Sequence, residues 1–506
     1  MNERSKGALV SYLYMIVQVI VNLIYVPLLL STIGRNEFGL YQLVGSVMAY
    51  LLIMNATVSS AVQRYYNKYL ALHDMEKAEN VLGVSRLIYR VLSLFAIIVG
   101  IALIAIANAV YAESLTPAEL SELSVMLAIL IVNVIIVLNN SIYTATIEAH
   151  ERFVFQNSVL VIVTALQPAF IALAVWIYPY AVSVIVVQLI SVIIEVLLRR
   201  YYSNHKLHAK VVVHDLDRSL VRGLLMFSGA ILLATVADQI FWRTDQLILG
   251  YFFGTASVAV YGIATQIWMC YMPLGLAISN VFLPKATRIF QGEETDESLS
   301  DLFVRIGRIQ FFVLFAVLTG FIVFGDAFIF LWAGDGFHDA YLVAVIIMLP
   351  FTTDLIQNVG LTIMRVNNTY GFRARVYFAC AVINIALTIL FIQWFGILGA
   401  AFSTALSLVF CSGLVMNWYF WKRTGLDVPR FWKNICRAAA PPFLLFVAIF
   451  AAYALVLPAA DNWLLLLAYL VGYVVLYLAV CWLFSFNEYE KNLLVNTCNS
   501  LLRRKG

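Results

Sequence analysis

Asp238, Arg243, Asp245 and Asp354 are charged side chains that interrupt otherwise apolar stretches of the sequence. A carboxylate at the centre of a membrane helix costs about 2.5 to 3.5 kcal/mol even on the most lenient insertion scale, so such groups are rare and usually functional. The sequence predicts that Asp238, Asp245 and Asp354 are ion-coupling residues. A structural ion pair, with Arg243 as the expected partner, is the alternative that remains open.

Arg243 has glutamine neighbours on its own helical face, because Gln239 and Gln246 lie four residues before it and three after it. This polar flank suits an anionic partner, so Arg243 is predicted to bind an anionic substrate. Arg64 and Lys285 follow the second and eighth apolar segments and are predicted to bind the same substrate at the inner mouth. The alternatives are that Arg243 extends to the membrane surface and that the other two cations only set topology.

Polar side chains also recur at helical spacing along four of the apolar segments. A water-filled cleft that binds substrate would explain this pattern, with Gln18, Asn22, Tyr25, Trp242 and Asn358 among its lining residues. Ordinary hydrogen bonds between packed membrane helices are the alternative. The four stripes are Ser11, Tyr14, Gln18, Asn22 and Tyr25; Ser228, Thr235, Asp238, Trp242 and Asp245; Asn133, Asn140, Thr144 and Glu148; and Asp354, Asn358, Thr362 and Arg365.

The composition identifies the elements that must position these residues. Of 506 residues, 63% are hydrophobic and only 12% are charged, against roughly 25% charged in a soluble domain. The sequence predicts an all-α polytopic membrane protein with 14 transmembrane helices. Their apolar segments lie near residues 8–30, 38–62, 87–111, 123–146, 158–178, 180–198, 223–250, 255–283, 309–333, 341–364, 375–395, 397–420, 438–457 and 463–484.

The basic residues predict the orientation of these helices. With both termini in the cytoplasm, all but two of the 32 Lys and Arg residues lie on the inner side, as the positive-inside rule requires. The exceptions are Arg35, in the first external loop, and Arg243. The first apolar segment is longer than a signal-peptide core and has no A-x-A cleavage pattern, so we expect it to remain as a helix.

The chain resembles itself when it is shifted by about 220 residues. Gly34 precedes Tyr41 by the same seven residues by which Gly254 precedes Tyr261. Six helices per copy is an even number, so the two repeats are predicted to run parallel in the membrane. The predicted domains are an N-lobe at 1–200, a cytoplasmic linker at 201–222, a C-lobe at 223–420, and a final helix pair with a cytoplasmic tail at 421–506.

Several classes of site and partner are not expected. The six cysteines show neither CxxC nor histidine pairing, which argues against a metal site or a disulfide framework. The sequence has no G-x-x-x-x-G-K-[ST] motif, so ATP is not expected to drive the protein directly. A net charge of +4 does not suggest nucleic-acid binding, and we predict no cofactor.

Two corner motifs carry a family resemblance. VPLLLSTIGRNEFGLYQL at Val26–Leu43 and DQLILGYFFGTASVAVYGIA at Asp245–Ala264 resemble the corners of Wzx-like bacterial oligosaccharide flippases. These polysaccharide transporters belong to the multidrug/oligosaccharidyl-lipid/polysaccharide exporter superfamily. The resemblance covers the twelve-helix core, and helices 13 and 14 are shared with lipid II flippases and some polysaccharide exporters, whereas typical multidrug antiporters lack them.

This resemblance implies a function. The protein would move an undecaprenyl-diphosphate-linked oligosaccharide across the bacterial plasma membrane by alternating access, with membrane lipids and possibly a proton or sodium ion as further partners. A cation-coupled multidrug or small-molecule antiporter is the alternative within the superfamily. A membrane-embedded glycan polymerase is disfavoured, because only Arg35 and His338 lie in external loops and no acid/base group converges on them. No enzymatic activity is therefore expected.

Overall fold

The computed structural model describes residues 3–291, 298–367 and 369–503, and within them it is helical without β-strands. The first unit of the chain contains α1 Glu3–Leu51, α2 Ile53–Ala71, α3 Met75–Val110, α4 Pro117–Ala149, α5 Phe153–Ile177, α6 Ala181–His205 and most of α7 Arg218–Val281. The rest contains α8 Leu283–Phe290, α9 Leu299–Ala333, α10 His338–Ile356, α11 Asn358–Val366, α12 Tyr370–Phe395, α13 Ile397–Leu408, α14 Asn417–Lys422, α15 Val428–Leu455, α16 Trp463–Val480 and α17 Glu488–Arg503. Two π-helical segments, Val409–Met416 and Cys481–Ser485, continue α13 and α16.

Twelve helical stretches of the described residues are long and apolar enough to cross a membrane. Two of them, Leu13–Ala71 and Thr235–Ser279, each cover two of the predicted segments. Both are kinked at a glycine with positive φ, which is 81° at Gly34 and 71° at Gly254. Only glycine adopts this conformation readily, so the two predicted corners occur where the sequence placed them. The count of fourteen crossings stays a prediction.

Several helices extend beyond the predicted apolar segments. α3 begins at Met75, whereas its apolar segment begins near residue 87. Asp74 caps this polar extension by accepting a hydrogen bond from the Lys77 amide, as helix N-caps usually do. Helices α6 and α7 also reach into the predicted linker, so that only residues 206–217 of it are non-helical.

This short linker packs against α3. The Asn80 side-chain oxygen accepts hydrogen bonds from the amides of His214 and Asp215, at 2.9 and 3.1 Å. Further along, Asp217 accepts hydrogen bonds from the hydroxyl and the amide of Ser219, and these bonds lower the pKa of the Asp217 carboxyl group. The linker is therefore a fixed connection within the first unit.

The chain forms two compact units, Met1–Gly262 and Ile263–Gly506. The division falls within α7, so the part of α7 that carries Arg243 and Asp245 packs with the first six helices. The predicted boundaries of the N-lobe and the linker, at residues 200 and 222, follow the polar linker in the sequence and stay a prediction. Hydropathy locates loops, whereas the units are defined by which helices touch.

A buried ion pair joins α9 to α17 in the second unit. The Arg308 guanidinium donates two hydrogen bonds to the Glu490 carboxylate, at 2.7 and 2.9 Å, and a third to the Ser485 carbonyl, at 3.0 Å. Glu490 also caps the start of α17 together with Asn487. Arg308 and Glu490 are only 8% and 4% exposed, so this bidentate pair holds α17 firmly against α9.

Candidate functional site

Arg243, the cation predicted to lie within the membrane, has hydroxyl groups near it in the first unit. Arg243, on α7, is half-buried and close enough to the phenol groups of Tyr41 and Tyr50 to interact with them electrostatically. The Tyr50 hydroxyl also forms a 2.5 Å hydrogen bond with the hydroxyl of Thr244. Phenol and hydroxyl groups of this kind can donate and accept hydrogen bonds near a guanidinium.

Further polar side chains join this group from α1 and α6. Ser46 donates a hydrogen bond to the Gln246 side chain, and Gln188 donates one to the Tyr41 hydroxyl at 2.9 Å. The ring of Tyr25 stands edge-on to that of Tyr41, with 6.4 Å between the ring centres. We call Tyr41, Tyr50, Arg243 and Thr244 the arginine site.

The other predicted substrate residues of the first unit differ in how exposed their side chains are. Gln18 is exposed and Asn22 is half-buried on α1, and the Trp242 ring contacts Phe241 edge-on. Arg64 is exposed, and its guanidinium lies 4.5 Å from the centre of the Phe227 ring. These contacts do not include the arginine site, so their grouping into one binding surface stays a prediction.

The two aspartates of α7 occupy different environments. Asp238 is half-buried, whereas Asp245 is only 2% exposed. The Asp245 carboxylate accepts a 2.6 Å hydrogen bond from the hydroxyl of Tyr261. This short bond ties the two sides of the Gly254 corner together, and it gives Asp245 a bracing contact alongside its predicted coupling role.

In the second unit, the predicted coupling residue Asp354 lies beside a break in its helix. α10 ends at Ile356, the non-helical residue Gln357 follows, and α11 begins at Asn358. Pro350, inside α10, removes one further backbone hydrogen bond close to the break. Asn358 accepts a 3.3 Å hydrogen bond from Ser279. Discontinuous helices of this kind form the ion and substrate sites of many transporters.

The facing segment is irregular as well. The Asp354 carboxylate accepts a 2.6 Å hydrogen bond from Ser412, which lies within the π-helical segment Val409–Met416. Single-turn π-helices occur mainly at functional positions. Two departures from α-helical geometry therefore meet at Asp354. Lys285 is half-buried on the short helix α8 of the same unit.

An apolar groove runs along α9 in the second unit. Two cavities of about 310 and 340 Å³ share Ala316, Val317 and Val474, so they form one continuous groove between α9 and α16. Gly320 and aromatic side chains such as that of Phe328 line one end. The other end is closed by α17, through side chains such as Leu494. The groove suits a long hydrocarbon chain.

Sequence reasoning missed three members of the polar surface in the first unit. Ser46 and Tyr50 follow Gln42 at intervals of four residues on α1, a stripe of the same kind as those that were recognised. Their spacing was therefore a usable signal. Gln188 stands alone among apolar residues of α6, and only the fold brings it to Tyr41.

The apolar helical stretches, the broken α10 and the intramembrane charges define a multi-pass membrane protein with the architecture of a transporter. The model of the polysaccharide biosynthesis protein family matches residues 5–290, and the chain belongs to this family. A protein of Haloferax volcanii, the probable low-salt glycan biosynthesis flippase Agl15, is 25% identical over 189 residues. That match spans 37% of this chain and 39% of the relative.

Solved structures share the fold. The lipid II flippase MurJ, in an inward closed conformation, matches 94% of this chain and 98% of its own at 13% identity, with a TM-score of 0.69. A multidrug resistance MATE family transporter of the MOP superfamily, in an inward-facing conformation, matches 82% of this chain and 96% of its own at 13% identity, with a TM-score of 0.64. At these identities the likeness shows a common fold.

Proposed function

We propose that the protein is a flippase that moves an undecaprenyl-diphosphate-linked oligosaccharide across the bacterial plasma membrane by alternating access, without catalysing a reaction. In this proposal the chain crosses the membrane fourteen times, as two parallel six-helix repeats and a final helix pair. Both termini face the cytoplasm. Membership of the polysaccharide biosynthesis protein family supports the substrate class, and the flippase name of the Haloferax relative agrees with it.

The arginine site is the observation that carries this proposal. A diphosphate that enters the membrane needs a compensating positive charge, and a guanidinium binds phosphate oxygens through two parallel hydrogen bonds. Arg243 offers this group among the hydroxyls of Tyr41, Tyr50 and Thr244. Hydroxyl and aromatic side chains also suit sugars.

The apolar groove of the second unit supports a substrate with a long hydrocarbon tail. From Ile309 to Phe328, both of which line it, the groove follows α9 for 19 residues, which is about 28 Å at 1.5 Å per residue. This length is close to the thickness of the hydrocarbon core of a bilayer. We assign the groove to the polyprenyl tail.

Ion coupling is assigned first to Asp354. Its carboxylate lies between a broken helix and a π-helical segment, where displaced backbone carbonyls add oxygen ligands for a proton or a cation. Asp238, half-buried on α7, is the second candidate. Asp245 is the least exposed of the three, and coupling through it would require its bond with Tyr261 to open.

The transport activity can be tested in proteoliposomes. Purified protein would be reconstituted with a fluorescent undecaprenyl-diphosphate oligosaccharide, and flipping would be followed by the loss of signal to a membrane-impermeant quencher. In cells, deletion should remove the surface glycan and leave the lipid-linked precursor on the cytoplasmic side. Normal glycan display in a verified deletion strain that has no second flippase would contradict the proposal.

Arg243 variants test the assignment of the diphosphate. Arg243→Ala should lower flipping at least tenfold, and Arg243→Lys should retain more activity because the charge remains. Arg200→Ala is the matched control, since Arg200 is an exposed arginine near the end of α6 that is not among the predicted substrate residues. Full activity of Arg243→Ala, with unchanged expression, would remove Arg243 from the substrate site.

A cation-coupled antiporter is the second candidate function, and the environment of Asp354 favours it. The two functions differ in what Asp354→Asn should do. For a coupled flippase, this variant should bind lipid-linked glycan normally while flipping loses its dependence on an imposed proton or sodium gradient. Gradient-driven efflux of an organic cation, without movement of the lipid-linked glycan, would favour the antiporter.

A further inference from the structure

The loop between α3 and α4, together with the first turn of α4, holds α7 on both sides of its kink at Gly254. The Tyr111 hydroxyl donates a 3.0 Å hydrogen bond to the Leu247 carbonyl, and the Ser114 hydroxyl donates one to the Tyr251 carbonyl. Four residues later, the Thr255 hydroxyl donates a 2.9 Å hydrogen bond to Glu119. Leu247 and Tyr251 are four residues apart and lie on one face of α7, and Thr255 follows directly after the kink at Gly254. These bonds therefore form a row that crosses the kink.

The kink at Gly254 explains why this row exists. A helix leaves its last carbonyls without donors within the helix, and Tyr251 lies in the last turn before the kink. Ser114 supplies the donor that the helix itself cannot provide there. The Gly254 backbone also approaches the loop closely, since a Cβ built on it would lie 3.3 Å from the Ser114 carbonyl oxygen.

Glu119 fixes the loop end of the row. One carboxylate oxygen accepts the amide and hydroxyl of Thr116, at 2.9 and 2.8 Å, and so forms the capping box of α4. The other oxygen accepts Thr255. The same carboxylate therefore orders the start of α4 and binds the corner, which makes it a rigid anchor rather than a flexible surface contact.

We propose that Tyr111, Ser114 and Glu119 form a clasp that holds the Gly254 corner at the outer end of the first unit, and that this clasp must release before the unit opens to the outside. The proposal rests on the alternating access proposed above. It adds a specific gate whose residues are not members of the arginine site. Weakening the clasp should favour the open state without changing any substrate contact.

The test uses a cysteine at a position that the corner covers. Ala259 is fully buried, and its amide lies 3.2 Å from a Cβ built on Gly39 of α1. In the full-length protein, Ala259→Cys should react slowly with a membrane-impermeant maleimide applied to intact cells. Labelling of the parent protein, which keeps its native cysteines, gives the background.

Clasp variants are then added to Ala259→Cys. Tyr111→Phe and Thr255→Val each remove one hydrogen bond, and each should raise the labelling rate about three- to tenfold. Thr255→Ser keeps the hydroxyl and should label like the Ala259→Cys protein. Ser124→Ala is the matched control, because Ser124 bonds Asn108 between α3 and α4 without touching the corner.

Cysteine labelling does not require substrate, so its outcome tests the clasp independently of the proposed flippase function. An unchanged labelling rate in both Tyr111→Phe and Thr255→Val would overturn the clasp and leave flipping untouched. An equal increase with Ser124→Ala would also overturn it, because loosening of α3 and α4 would then suffice. Thermal unfolding midpoints of the purified variants identify any that are misfolded, and Tyr111→Phe, which keeps the whole ring, is the safest of them.

Discussion

The corners at Gly34 and Gly254 have the same backbone and different side-chain chemistry. Their φ and ψ angles are 81° and 179° at the first and 71° and −174° at the second. Tyr41 and Tyr261 follow these glycines at the same spacing. Nine residues before each glycine, the first corner has Tyr25, which meets Tyr41 edge-on, whereas the second has Asp245, which binds Tyr261.

This difference teaches which parts of the predicted repeat are constrained. The positive φ requires glycine at both corners whatever surrounds them, so the kink persists. The tyrosine partners are free to diverge, because an aromatic edge and a carboxylate can both occupy the space beside a phenol ring. The first corner has an aromatic contact between Tyr25 and Tyr41, and the second has a hydrogen-bonded brace between Asp245 and Tyr261.

The largest effect is expected where the two corners touch. A methyl group at Gly39 would overlap the backbone carbonyl of Thr255, and backbone cannot move aside as a flexible side chain can. Gly39→Ala should therefore cost about 3 kcal/mol or more and lower the yield of folded protein in detergent, measured by size-exclusion chromatography. Gly45→Ala, in the same helix with nothing within 4 Å, should fold normally. Equal yields of the two variants would show that the corners do not touch.

The next effect tests whether the two kinks are equivalent. Gly34→Ala and Gly254→Ala each force alanine into a conformation that costs about 1 to 3 kcal/mol, so both should lower the thermal unfolding midpoint. Gly254→Ala should lower it further, because its new methyl group would also lie 3.3 Å from the Ser114 carbonyl oxygen. A clear fall in the unfolding midpoint for one variant and none for the other would show that the two kinks are not equivalent.

The two tyrosine pairs should differ in strength. Tyr261→Phe leaves the buried Asp245 carboxylate without this donor, and a hydrogen bond to a charged group contributes about 1.5 to 3 kcal/mol. The variant should therefore lose thermal stability. A double-mutant cycle with Asp245→Asn should give a coupling energy of similar size, and additive effects of the two substitutions would contradict the brace.

The smallest effect is expected at the first corner. Tyr41→Phe removes a neutral hydrogen bond with Gln188, which contributes about 1 kcal/mol, and it keeps the ring against Tyr25. The fall in the unfolding midpoint should be about half of that of Tyr261→Phe. A larger fall than at Tyr261 would assign the stabilising role to the first corner.

The sequence predicted the features that depend on local physics. Glycine corners, apolar segments and the charges within them are visible from residue type and spacing, and the structure contains both kinks and the helical stretches. The extension of α3 to Met75 was not predicted, because hydropathy detects the bilayer core, whereas backbone hydrogen bonds and the Asp74 cap continue the helix beyond it.

Contacts between distant parts of the chain were beyond sequence reasoning. The hydrogen bond between Thr255 and Glu119 joins residues that are 136 positions apart. The type of neither residue indicates that the other is its partner. The π-helical segment beside Asp354 contains no proline and one glycine, Gly413, so its sequence gives little indication of the irregular backbone. Asp354 itself was predicted, because a carboxylate in an apolar helix is conspicuous, but its hydrogen bond with Ser412 depends on how α10 packs against the π-helical segment after α13.

The ion pair between Arg308 and Glu490 also orders events during synthesis. The two residues are 182 positions apart, and at about 5 to 20 residues per second a ribosome takes roughly 10 to 40 seconds to reach the second after the first. During that interval Arg308 has been made and its carboxylate partner has not. The Arg308 end of α9 must therefore stay hydrated or held by lipid phosphates until α17 has been made, so this contact of the second unit forms late relative to α9 itself.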